Sequence, residues 1–316
     1  MKKSIFNSAI LTLLFFLSIT LQVFSQKENI KETFDNVQKI KVDVAVGNIA
    51  IEKSPSGNTV LTGEYDSEKL DVEISFSNGK LSVVEKTKKR NSNGSIDSHY
   101  KLQIPANLEM NLNTGTGDIA MASVTADANV NTGTGKIVVV NHKGDLKLNS
   151  GTGSVELLNS EGELSLNSGT GRVSMTNCQG ELNANSGTDD VVIENVTGVI
   201  SANSGTGNVS AKNINLKGNG NFNSGTGNVQ LTITSPVTQN LSVNSGTGSA
   251  TLDMNGQNFD GTLVMACGEP GGSISAPFDF DKEETKDRTI KKYKYFGDSG
   301  VELKVSTGSG KAKLIK

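Results

Sequence analysis

Few residues of this chain could do chemistry. The candidates are two histidines, His99 and His142, two cysteines, Cys178 and Cys267, one acidic step at Asp189-Asp190, and rows of hydroxyl and amide side chains set between glycines. Two carboxylates flanking a glycosidic bond can act as acid and base or nucleophile, so Asp189 and Asp190 are the place to look for a polysaccharide-cleaving site. No cluster of further acids, Arg or Lys gathers at that height in neighbouring repeats. The pair therefore reads as drift at a turn, where Asp tolerates the backbone that a Gly would otherwise take. The two histidines stand apart from each other and from the cysteines, so no zinc set forms. No Ser/His/Asp set, nucleotide loop or Cys/His pair is present either. The expectation is a chain with no catalytic residue, no cofactor and no metal ligand.

The amide and hydroxyl rows are the stronger signal. Asn-Thr-Gly-Thr-Gly begins at Asn113 and Asn131, and Asn-Ser-Gly-Thr-Gly begins at Asn149, Asn167, Asn203, Asn223 and Asn244. Asn185 opens the same phrase with Asp189 in place of the last Gly. Stacked asparagines form amide ladders in cross-β arrays, so these eight are expected to form one. Ser150 and Thr152, Ser168 and Thr170, and Ser204 and Thr206 would form hydroxyl rows at the inter-strand spacing of about 4.8 Å. Such rows suit ice or another crystalline surface, although a turn offers a narrow face. The position after the second Gly holds Asp118, Lys136, Ser154, Arg172, Asp190, Asn208, Asn228 and Ser249. Cations at two of these positions rule out a regular calcium column.

The elements that must position these rows follow from their spacing. Successive phrases start 18, 18, 18, 18, 18, 20 and 21 residues apart, and a fixed period near 20 marks a solenoid. Apolar residues alternate within each period, as at Leu146 and Leu148 before the phrase and Val155 and Leu157 after it, which is the strand signal. The predicted fold is all-β: a single-chain parallel β-solenoid with coils of about 18–21 residues, two short strands per coil and a right-handed winding. One predicted inward column is Ile119, Ile137, Val155, Val173, Val191, Val209 and Val229. The other is Leu112, Val130, Leu148, Leu166, Ala184, Ala202, Phe222 and Val243. Asn129, Lys147, Ser165, Asn183, Ser201 and Asn221 point outward, and without aromatics there sugar stacking has little support. The second turn of each coil opens with Asn141, Asn159, Asn177 or Asn195 and closes three residues later with a Gly able to take positive φ. The two glycines of the phrase are expected to supply left-handed or bulged backbone.

Composition agrees. Aromatics are 5%, Trp is absent and Gly numbers 35 in 316 residues, which suits thin layers and tight turns rather than a globular enzyme. The formal charge of −3 gives no footprint for nucleic acid, and there is no polybasic membrane patch. Residues 1–25 read as a signal peptide: Lys2 and Lys3, an apolar run from Ile10 to Leu17, and Val23-Phe24-Ser25 before a cleavage point at Gln26. No Cys follows the run to carry a lipid, and no transmembrane segment is expected after cleavage. Export would favour a disulfide. About five coils at roughly 4.8 Å each nevertheless separate Cys178 from Cys267, so they are expected to stay unpaired.

The expected organisation is residues 26–108 as irregular N-terminal capping coils with a polar loop from Lys86 to Ser98, 109–276 as regular coils, 277–300 as a charged and aromatic insertion, and 301–316 as a final coil. Ala266 to Gly271 reads as a decayed copy of the phrase and Ser306 to Gly310 as a late echo. With Ile104-Pro105-Ala106-Asn107 leading into Leu112-Asn113-Thr114-Gly115-Thr116-Gly117-Asp118-Ile119, and Val44 to Ile51 as an opening strand pair, residues 37–316 resemble the putative adhesin family. The resemblance implies an exported bacterial parallel β-solenoid, and its motifs specify fold rather than function. The functional expectation is a non-enzymatic adhesin-like binding or scaffold protein of the periplasm, cell surface or exterior, with a cell-surface glycan or protein as partner and no nucleic acid. The alternatives are a polysaccharide-active enzyme and an ice- or crystal-binding surface.

Overall fold

The computed structural model describes residues 27–88 and 96–316. The expected signal peptide and part of the 86–98 loop lie outside the described residues. Among those described there are 27 strands and no helix. The strands build a parallel β-solenoid with two walls. Leu108–Thr114, Ala126–Thr132, Leu146–Ser150 and Glu161–Ser168 pair in parallel, in register, along the first wall. Ile119–Ala122, Ile137–Val140, Val155–Leu158 and Val173–Thr176 do the same along the second.

Alternation makes this work. Successive side chains in a strand point to opposite faces, so each coil sends one set inward from each wall. Both predicted columns are buried throughout, with Leu166, Ala184, Phe222 and Val173 at 0% exposure. One continuous apolar core runs from Val37 to Leu314. No single coil could form it alone, because each buries its apolar face only against the next. The two extra residues of the 20-residue repeat are absorbed between Leu216 and Gly220, where pairing jumps from Gly198↔Leu216 to Ile200↔Gly220; Val199, opposite them and outward-facing like its partner Glu181, is 41% exposed.

The ends depart from simple winding. At the N-terminal end the 39–53 coil lies between Lys80–Thr87 and Ser98–Ile104 on one side and the 108–122 coil on the other. Chain order and stacking order therefore differ. The described residues of the 26–108 region, expected as irregular capping coils, include two antiparallel ribbons. One joins Lys27–Phe34 to Thr59–Asp66 and thence to Ser98–Ile104; the other joins Leu70–Ser77 to Lys80–Thr87. Phe34 and Phe76 meet across the ribbons at 5.4 Å between ring centroids. A parallel stack would otherwise present open strand edges.

The other end repeats the device. The last stretch in sequence, 302–315, is not last in space: it stacks between the 241–253 and 262–275 coils. Within the 277–300 insertion, Lys282–Lys286 and Thr289–Tyr295 form an antiparallel hairpin that covers the outer edge of Thr262–Gly268. Cys178 and Cys267 are both free and buried.

Candidate functional site

The eight phrase asparagines form one amide ladder. From Asn131 to Asn244 each Nδ2 donates to the Oδ1 of the preceding member at 2.8 to 3.0 Å. Asn113 starts the series by donating to Asp43 Oδ1, and Ser306 ends it by donating to Asn244. A carboxylate accepts without needing to donate, so Asp43 terminates the ladder cleanly. Partial burial pushes the Asp43 carboxyl upward, but Lys41 and Asn113 together outweigh it and hold it below its usual range. A second ladder links Asn141, Asn159, Asn177, Asn195 and Asn213 at the other turn. These five have φ between 51° and 56°, a region Asn tolerates, and Gly144, Gly162, Gly180 and Gly198 have φ from 120° to 151°.

The phrase glycines were expected to supply left-handed or bulged backbone. None of them is in the left-handed region. A Cβ on Gly153 would instead stand 1.9 Å from the Gly135 carbonyl oxygen, and one on Gly151 would stand 2.3 Å from that of Gly133. Close approach of one coil to the next excludes the side chain.

The expected hydroxyl row divides. Ser150, Ser168 and Ser204 are buried. Ser150 Oγ donates to Gly135 O and accepts from Gly153 N, both at 2.9 Å, and Ser168 makes the same pair of bonds to Gly153 O and Gly171 N. Ser204 donates to Asp189 O. Only Thr152, Thr170 and Thr206 reach the surface, and each donates to the carbonyl of the Thr one coil before. Inside the turn, the paired Ser/Thr surface required for crystal binding does not exist. Nor do the acids gather: Asp189 Oδ1 accepts from Asp190 N, and Asp190 Oδ1 accepts from Asn208 N. The described residues contain no group of three or more His, Cys, Asp or Glu placed to hold a metal.

With the turns occupied, the strand faces remain. On the first wall the side chains of Asn129, Lys147, Asn183 and Asn221 point outward with no hydrogen bond or ion pair inside the described chain. Beside them runs a column the sequence reading missed: Glu109, Asp127, Asp145, Glu163 and Glu181, all exposed and 18 residues apart. The period was visible in the sequence, but it falls outside the phrase. Lys39 pairs with Glu109 at 2.6 Å, and Asp127 and Asp145 each accept a backbone N–H from the next coil.

The second wall curls at the N-terminal ribbon into a concavity of about 610 Å³, lined by residues that include Ala50, Ala120, Thr62, Lys31, His99 and Lys101. Lys101 pairs with Glu52 at 2.8 Å, and His99 with Asp97 at 3.1 Å. Lys101, and then Gln103, hold the Glu52 carboxyl below its usual range. Burial and the Glu28 carboxylate push the Tyr65 phenol up to about 12.

His142 is fully buried, and neither ring nitrogen has a hydrogen-bond partner. Its neighbours along the stack are Val124 and Ser160, with Asp127 and the Lys143–Glu161 ion pair nearby. Burial lowers its pKa against the opposing pull of Asp127 and of the backbone at Ala126 and Gly144, which lies close without hydrogen-bond geometry. The folded form therefore keeps the ring neutral, while the unfolded chain takes up a proton as pH falls through about 6.5. Stability from this residue is full above that pH and is lost below it. His142→Val, matching Val124 and Val196 in the same column, should flatten the loss between about pH 6.5 and 5. Urea midpoints of both proteins at pH 8 and pH 5 check this; equal shifts would overturn it.

These features define a parallel β-solenoid whose turns are held by side-chain ladders and whose walls carry the free polar groups. Residues 37–264 match the Toastrack DUF4097 family, and the chain belongs to it. No curated protein matches the chain. Among solved structures it is similar to a putative adhesin from Parabacteroides distasonis, with 12% identity over 92% of this chain and 98% of that one and a TM-score of 0.35. It is also similar to a putative adhesin from Bacteroides fragilis, at 13% identity, 92% and 99% coverage and a TM-score of 0.33. A third is a putative lipid binding protein from Parabacteroides distasonis, at 15% identity, 92% and 97% coverage and a TM-score of 0.34. No function passes to this chain from likenesses at this level. No helix among the described residues is long and apolar enough to cross a membrane.

Proposed function

We propose that this chain is an exported, non-enzymatic β-solenoid that works as an adhesin-like binding or scaffold protein of the cell envelope, taking a cell-surface glycan or protein on its first wall. The observation that carries the reading is the division of labour among polar groups. Turn amides and hydroxyls are consumed by ladders, whereas Asn129, Lys147, Asn183 and Asn221 stand unpaired in register on a rigid face. Groups placed along the wall at steps of one or two coils, about 4.8 or 9.6 Å, suit a partner that is itself extended. The leader-like residues 1–25 support export.

A glycan-array and surface-protein screen, run beside polysaccharide turnover assays, tests this. Binding without turnover is expected. Asn129→Arg with Asn183→Arg should weaken binding at least about tenfold, the scale of one lost charged or bidentate contact. Ser174→Arg on the second wall should leave it unchanged. Polysaccharide cleavage abolished by Asp189→Asn would replace this reading with the enzymatic one.

A further inference from the structure

The slot between the 241–253 and 262–275 coils is filled by a stretch that arrives late and from a distance. Leu303 lies between Leu241 and Leu263, Val305 between Val243 and Met265, and Ala312 between Ala250 and Ile274. Leu303, Val305 and Ala312 are at most 1% exposed. Both edges of the stretch are paired, and Gly308 N donates to Gly246 O at 2.9 Å while Gly268 N donates to Gly308 O at 2.8 Å. The fit is selective. A Cβ on Gly308 would stand 2.1 Å from Gly246 O, and one on Gly310 would stand 2.3 Å from Gly248 O. Thr307 repeats the buried turn hydroxyl by donating to Gly248 O at 2.7 Å and accepting from Gly310 N. Few sequences other than a coil of this protein meet those demands.

The tether is short and exposed. Tyr295 and Glu302 both pair with Thr262, from opposite sides, so residues 296–301 cross from one edge of that strand to the other. Residues 296–300 are exposed, Gly300 has φ 78°, and Ser299 holds the crossing to Asp260. An independently tethered terminal segment that fills an internal gap fills the same gap equally well from another molecule. Only effective concentration favours its own chain.

We propose that this slot is an interaction site for a second copy of the chain: the 302–315 stretch of one molecule enters the slot of another, so that copies crowded together are linked by exchange. The contacts are those already present, made between chains; reciprocal exchange closes a dimer, and one-way exchange builds an open chain. The inference is independent of which ligand the first wall takes.

Deleting residues 297–301 from the full chain leaves one residue, a reach of about 7.6 Å, where about 9.6 Å, two strand spacings, must be crossed around the incoming strand. The expected product, by light scattering, is a dimer or longer series with an unchanged β-sheet circular dichroism spectrum, dispersed to monomer by excess synthetic peptide 301–316. A folded monomer would overturn the proposal, as would an assembly that the peptide leaves intact. A second measurement avoids the deletion. Ser242 and Lys304 are register partners on the outer face, and parallel neighbours lie within disulfide range. Full-length Ser242→Cys and Lys304→Cys chains, mixed in urea at high concentration and refolded under oxidation, should give a covalent heterodimer joined at those positions. Refolded chains without that cross-link would equally overturn it.

Discussion

Leu166→Asp should destabilise the protein by more than about 4 kcal/mol, while Ser165→Asp should change it by no more than about 0.5 kcal/mol. The two residues are adjacent on one strand and face opposite ways. Leu166 is at 0% exposure between Leu148 and Ala184. Removing it forfeits about 1.5–3 kcal/mol of burial. The new carboxylate then enters a column of apolar side chains with no donor or cation to meet it, a further loss of several kcal/mol. The adjoining coils lose the surface they pack on, because each contacts only its neighbours. Ser165 is half-buried on the outer face beside Lys147 and Asn183, where a carboxylate is solvated and faces a cation. Paired urea melts check the difference. Equal losses would mean the inward and outward faces of the strand are assigned the wrong way round.

That contrast was open to sequence reading because alternation and an 18-residue period together fix which face each residue takes. Stacking order was not. The 39–53 coil has the same local pattern whether it lies first or second in the stack, and any coil of this shape pairs with any other. Nothing in Ser306 to Gly310 beyond its likeness to the phrase states that it belongs next to Asn244. Left-handed or bulged backbone is the common local reason for Gly; the close approach seen here, a carbonyl of the preceding coil 1.9 Å from a Cβ on Gly153, is an inter-coil distance. Ser150 and Thr152 share a chemistry, yet Ser150 ends its strand facing inward while Thr152 stands outward in the turn that follows. The column from Glu109 to Glu181 was legible in principle and was passed over because its members vary between Asp and Glu.

The N-terminal end holds a problem that the repeats never face, and Glu85 solves it. Along the stack, each phrase turn donates backbone N–H groups to carbonyls of the turn before, as Gly115 does to Val44 and Gly133 to Thr114. The 39–53 coil has no equivalent turn before it. Glu85 comes instead from the strand Lys80–Thr87: its Oε1 accepts from Ala45 N at 3.1 Å and Val46 N at 3.0 Å, and its Oε2 accepts from Tyr100 Oη at 2.7 Å and from Ser98 Oγ at 2.5 Å. The residue is buried at 4% exposure. Burial, and then the neighbouring carboxylate, push the Tyr100 phenol well above its usual range, so it remains a donor. Glu85→Ala should therefore cost about 2–5 kcal/mol, from two half-buried backbone donors left without an acceptor at about 1–2 kcal/mol each and an unfilled space beside them. Glu85→Gln should cost only about 1–2 kcal/mol: its carbonyl still serves the two N–H groups, and both hydroxyls can turn to accept from its amide, while charge assistance is lost. The damage should stay local, since repeat stability is a sum of neighbour terms. Hydrogen exchange should quicken in 39–53 and 80–104 and stay slow in the central coils. If Glu85→Ala melts with the parent protein, or if exchange quickens evenly along the rod, the carboxylate does not close this end.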